Sequence, residues 1–183
     1  MHFAEPTPPA VLIPLLSYLQ GLQTERADLG ELSRLLAESP VTLADLRDYL
    51  HFAYDSYRRN LVAEGPWFNL LVLCWRSGQH SPIHDHAQSA CAFKVVTGVC
   101  SETVYAFAAD GAVVPGITRH VPAGEIIASH DSETHKVSNL QAVGTDLVTL
   151  HIYSPPLKTM RIFSATGRTG GQWLAPEHRA IGA

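Results

Sequence analysis

Beyond Trp67 the chain is cut into short β-branched and aromatic runs divided by Gly, Pro, Asn and Asp: Phe68–Trp75, Cys91–Val96, Ser101–Ala108, Glu125–Ala128, Thr134–Ser138, Leu147–Tyr153 and Thr159–Ser164. Runs of this kind are strands at hairpin spacing. Many short antiparallel strands leave unpaired edges unless the sheet closes on itself, so a β-barrel or jelly roll is the architecture they predict. From Val11 to about Phe52 the texture is different, with apolar positions three and four apart, as in Leu12, Leu15, Leu16, Leu19 and again Leu32, Leu35, Leu36. That spacing predicts two or three short helices. Thr42 is the expected N-cap of the last, and Pro40 helps end the one before it. The expected organisation is one mainly β domain over 1–183, comprising a mostly helical part (1–66), a β-barrel (67–165) and an irregular C-terminal wrap (166–183).

Charge and cysteine usage narrow the partners. Thirteen Lys and Arg against seventeen Asp and Glu, with no run of like charge, give no electrostatic footprint for nucleic acid or an anionic membrane. Small-molecule partners and a monomer are expected. Cys74, Cys91 and Cys100 are an odd number in separate segments, which suits a reducing compartment better than a disulfide framework or zinc ribbon. The apolar start, Met1 to Leu16, has no basic flank and is interrupted by Pro8, Pro9 and Pro14, so a cytoplasmic protein is expected. No apolar run is long enough to span a bilayer.

The most informative stretch is Gly78–Gln79–His80–Ser81–Pro82–Ile83–His84–Asp85–His86. On an extended segment residues two apart face the same side, so His84 and His86 present both imidazoles to one point while Asp85 turns away. Such a pair chelates a metal, although taken alone it is often a surface or core accident. Parity also orders Leu147–Tyr153: Thr149, His151 and Tyr153 share one face, and Val148, Leu150 and Ile152 share the other. The apolar face is expected on the core and the polar face toward the barrel interior, as a hydrogen-bonded relay or as a polar strip at the barrel mouth.

Gly78, His84-x-His86 and Gly98 together resemble the first metal motif of the cupin family, and His135 with Asn139 resembles the end of the second. Cys91 stands where cupins usually carry a glutamate ligand, so the implied site is three histidines, His84, His86 and His135. His130 is a rival for the third place. A narrower resemblance follows from Tyr57-Arg58-Arg59-Asn60-Leu61-Val62, Leu73-Cys74-Trp75, Ile83-His84-Asp85-His86, Cys91, His135-Lys136-Val137-Ser138-Asn139 and His151-Ile152-Tyr153-Ser154-Pro155-Pro156. In this order they are similar to the cysteine dioxygenase family.

The resemblance implies a cupin-type jelly roll, a bound Fe(2+), and oxidation of L-cysteine by dioxygen to L-cysteine sulfinic acid. Three imidazoles on one face of an octahedral iron leave room for a chelating thiol and dioxygen. Arg59 is implied as the grip on the substrate carboxylate, which suits a planar two-donor guanidinium, with Tyr57 assisting. His151, Tyr153 and Cys91 are implied at the reacting centre. In the family's animal members a cysteine matching Cys91 is joined by a thioether to the tyrosine matching Tyr153. A dioxygenase of another small thiol such as 3-mercaptopropionate, a non-catalytic metal-binding cupin and a three-histidine zinc hydrolase are the competing readings.

Overall fold

A computed structural model describes residues 6–129, 133–164, 169–174 and 178–179. The helical spacing is realised in α1 (Ile13–Gln20) and α2 (Leu29–Glu38). Pro14 occupies the first turn of α1, where a missing N–H costs no intrahelical bond. Asp28 caps α2 by accepting the Glu31 amide at 2.8 Å, a bond worth about 1 kcal/mol to the helix. The helix expected after Thr42 is replaced by turns and a single 3-10 turn at Arg47–Tyr49. Thr42 does not act as a cap: its amide and hydroxyl both donate to the Asp45 carboxylate, at 2.8 and 2.6 Å. A carboxylate is the stronger acceptor, so the hydroxyl is used as a donor instead.

The strands in chain order are β1 (Arg58–Gly65), β2 (Phe68–Trp75), β3 (Ile83–His84), β4 (Ala90–Thr97), β5 (Val99–Phe107), β6 (Val113–Pro122), β7 (Ile126–Ser129), β8 (Thr134–Ser138), β9 (Leu147–Ser154), β10 (Thr159–Phe163), β11 (Thr169–Leu174) and β12 (His178–Arg179). Each run expected from the sequence meets a strand whose ends agree within two residues. Two further expectations are corrected. First, β1 lies inside the stretch expected to be mostly helical. Arg59 to Val62 are buried on both faces of this strand, so it lacks the alternation that marks a half-exposed one. Second, the C-terminal wrap is not irregular where it is described. β11 pairs antiparallel with β10 and β12 pairs parallel with β1, covering two backbone edges that would otherwise be unpaired.

The strands form two sheets, ordered β12-β1-β2-β9-β4-β7 and β11-β10-β3-β8-β5-β6. One core lies between the sheets and includes Leu71, Leu73, Phe93, Val95, Val137 and Met160. The other lies between the helices and the outside of the first sheet, where Leu15, Leu32 and Leu36 meet Leu70, Val72, Val148, Leu150 and Ile152. β2 and β9 are thus buried on both faces, which is why Leu70–Trp75 reads as an unbroken apolar run. Lys94 of β4 fastens α2 to the barrel. Its ammonium donates to the Leu36 and Ser39 carbonyls at 3.2 and 2.6 Å, satisfying the end of the helix where cations are favoured. Gly98 closes the β4–β5 turn at φ +82°, and an added Cβ there would lie 2.7 Å from the Asp146 carbonyl oxygen.

Candidate metal centre

His84 and His86 come from β3 and the residues directly after it, and His135 comes from β8, the strand hydrogen-bonded to β3 with His84 and His135 in register. The three rings are buried, with one potential ligand atom of each within 4.8 Å of the others. Nε2 of His86 and Nε2 of His135 are 3.1 Å apart. Asp85, between the first two, turns away from the imidazoles as parity requires and, itself buried, forms an ion pair with Arg161 of β10.

Each imidazole is held from behind by a different group. His84 Nδ1 donates to the Pro82 carbonyl at 3.0 Å, His86 Nδ1 lies 3.4 Å from the Ser129 hydroxyl, and His135 Nδ1 lies 2.6 Å from a Glu102 carboxylate oxygen. Burial pushes the His84 imidazole down to about 3, helped by the nearby His135, and drives His86 well below its ordinary value in the same way. Neutral imidazoles with converging ring nitrogens are the state in which histidine binds a metal. The donor set therefore fits an ion held by His84, His86 and His135. His130 lies outside the described residues.

A pocket of about 270 Å³, its open mouth included, adjoins the three histidines. Arg59, Tyr57, Cys91, His151 and Tyr153 all line it, so the structure brings together every site residue expected from the sequence. Arg59 points inward because β1 alternates: Tyr57, Arg59 and Leu61 face the interior, and Asn60 and Val62 face away. Its side chain is buried at 2% residue exposure, with Nη1 3.5 Å from the Tyr153 hydroxyl. The Tyr57 ring stacks on Trp75 at 4.1 Å. Burial raises the Tyr57 phenol, and the charge and hydrogen bond of Arg59 oppose that rise.

The polar face of β9 forms a continuous chain. Trp75 Nε1 donates to the Thr149 hydroxyl at 3.1 Å, Thr149 Oγ1 is 2.8 Å from His151 Nε2, and His151 Nδ1 is 3.3 Å from the Tyr153 hydroxyl. Phe93 stacks on the His151 ring at 4.2 Å and fixes its plane. Cys91 sits directly opposite Tyr153 in the β4–β9 register. Burial raises both the Cys91 thiol and the Tyr153 phenol, so both stay protonated at neutral pH.

Sequence reasoning missed Glu102, which is fully buried on β5 between His135 and Arg119. The available signal was parity, since Glu102 shares a strand face with Cys100, an odd place for a carboxylate without a partner. Trp75 also supplies the indole donor to Thr149.

Two facing sheets around three buried histidines define a metal-binding site of the cupin class. The double-stranded β-helix protein of Klebsiella pneumoniae shares this fold, with a TM-score of 0.53 at 19% identity over 75% of this chain and 93% of that one. A Thermus thermophilus protein does so with a TM-score of 0.52 at 15% identity, over 63% and 99%. The family model for cysteine dioxygenase type I matches residues 1–166. Cysteine dioxygenase type 1 of Danio rerio is 31% identical over 93% of this chain and 86% of its own length, and that of Homo sapiens is 36% identical over 67% and 62%. The chain belongs to the cysteine dioxygenase type I family. It is thus a cupin dioxygenase with a three-histidine metal site, acting with dioxygen on a small molecule. None of the described helices is long and apolar enough to cross a membrane.

Proposed function

We propose that the metal is Fe(2+) and that the enzyme converts L-cysteine and dioxygen to L-cysteine sulfinic acid in the cytoplasm. The observation that carries this reading is a buried guanidinium, Arg59, sharing one small pocket with three histidines and the Cys91–Tyr153 pair. Held by His84, His86 and His135, the ferrous ion supplies a Lewis acid for a thiolate and electrons for dioxygen.

The side chains supply binding and order. Arg59 offers two parallel N–H donors to the substrate carboxylate, in a position buried enough for the charge to be felt. Trp75 donates to Thr149. In this reading the proton of His151 sits on Nδ1, so that Thr149 donates to Nε2 and Nδ1 donates to Tyr153 across the contacts these atoms make. With Arg59 and His151 both directed at its oxygen, Tyr153 keeps its own proton to donate into the pocket. Cys91 and Tyr153 couple by forming a bond from sulfur to ring carbon, with loss of two protons and two electrons to dioxygen, which becomes hydrogen peroxide. The thioether holds the phenol in place.

No acidic residue lines the pocket among the described residues. An ammonium group finds no counter-charge there, which favours as a second reading a thiol carboxylate without the amine, such as 3-mercaptopropionate. The iron-loaded protein, given each thiol under oxygen, decides between them. The expected result is one dioxygen consumed per L-cysteine, with a product heavier by two oxygen atoms and L-cysteine turned over more efficiently. Faster turnover of 3-mercaptopropionate selects the second reading. No oxygen uptake with either refutes both.

A further inference from the structure

Glu102 and Arg119 extend the metal centre to the protein surface. β8, β5 and β6 are consecutive in the second sheet, and they carry His135, Glu102 and Arg119 in that order. Glu102 and Arg119 are in register, and Glu102 is diagonal to His135, whose partner on β5 is Val104. Both carboxylate oxygens are used: one lies 2.6 Å from His135 Nδ1 and the other accepts Arg119 Nε at 2.5 Å. The Glu102 side chain is 0% exposed, whereas that of Arg119 is 49% exposed.

The three ring histidines are therefore not equivalent. A carbonyl backs His84 and a hydroxyl backs His86, but an anion backs His135. A carboxylate drawing on Nδ1–H leaves more electron density at Nε2 and makes the imidazole a stronger donor. A guanidinium on the far side of that carboxylate draws density back. We propose that the Arg119–Glu102 pair sets the donor strength of His135, so that a half-exposed residue governs the metal's affinity and reduction potential. This rests on the three-histidine iron site proposed above. Glu102 and Arg119 act as positioning residues through His135 and touch neither substrate nor metal.

The test uses Glu102→Gln, which keeps an oxygen acceptor but removes the charge, and Arg119→Gln at the surface. Ferrous-ion affinity is measured by competition with a chelator, and the ferric/ferrous midpoint potential by anaerobic titration. Thermal melting of the metal-free proteins checks folding. Glu102→Gln should weaken iron binding about 10- to 100-fold and raise the midpoint potential, because the ferric state loses most from a weaker donor. Arg119→Gln should lower the potential, because the carboxylate is no longer neutralised. Potentials unchanged in both variants, or displaced in the same direction, overturn the proposal. If Glu102→Gln does not fold, a wild-type potential in Arg119→Gln refutes it alone. If the unaltered protein itself takes up no ferrous ion, the iron-site reading fails as well; if it does and the variants match it, only the present inference falls.

Discussion

Removing the guanidinium of Arg59 should separate substrates by whether they carry a carboxylate. Arg59 is 2% exposed and lines the pocket beside Tyr153, so a carboxylate bound there is desolvated and depends on it. Arg59→Ala removes the guanidinium that faces that anion, and losing a buried charge-assisted pair costs about 2–4 kcal/mol. At 1.4 kcal/mol per factor of ten, kcat/KM for L-cysteine should fall roughly 30- to 700-fold. Cysteamine, which lacks the carboxylate, loses only what Arg59 contributes to placing the Tyr153 hydroxyl. That contact is long, at 3.5 Å, and a neutral-strength bond of about 1 kcal/mol corresponds to a loss of roughly fivefold. Arg59→Lys should fall between, since it keeps the charge but not the two-pronged geometry. The assay is the initial rate of oxygen uptake at matched iron content with each thiol. Equal losses for L-cysteine and cysteamine would falsify the carboxylate grip and leave Arg59 as a support for Tyr153.

His135→Ala should lose most of the bound iron and His130→Ala should keep it, measured by metal analysis of protein purified anaerobically; the reverse outcome moves the third ligand to His130. His151→Ala should retain iron and lose turnover, because His151 bonds to Thr149 and Tyr153, and a metal-free preparation would instead make it a ligand. After turnover with L-cysteine, intact mass should show a species lighter by one hydrogen molecule, with a peptide joining Cys91 to Tyr153; separate peptides only would rule the thioether out. Burial holds His84 at about 3 and depresses His86 and His151, whereas in the unfolded chain all three take up protons near 6.5. The unfolded state thus binds more protons below that value, and the metal-free protein should lose stability as pH falls from 6.5 toward 3. Urea midpoints should be lower at pH 5 than at pH 7, and equal midpoints would contradict neutral buried histidines.

What the sequence alone determined is what alternation and short spacing can encode. His84 and His86 are two apart on an extended segment, and Thr149, His151 and Tyr153 share a strand face, so their convergence needs no knowledge of any other element. The barrel itself was legible in the punctuation of its strands. Other features depended on which strands became neighbours. Arg59 was legible as a site residue only through family resemblance, because β1 is buried on both faces and its period is hidden. Glu102 gained its meaning only when β5 came to lie between β6 and β8, putting a guanidinium on one side and an imidazole on the other. Cys91 likewise faces Tyr153 through the β4–β9 register. The physical reason is that a strand's own sequence decides which face a side chain takes, whereas its partner across the sheet is set by the order and register of pairing, which is a property of the whole fold.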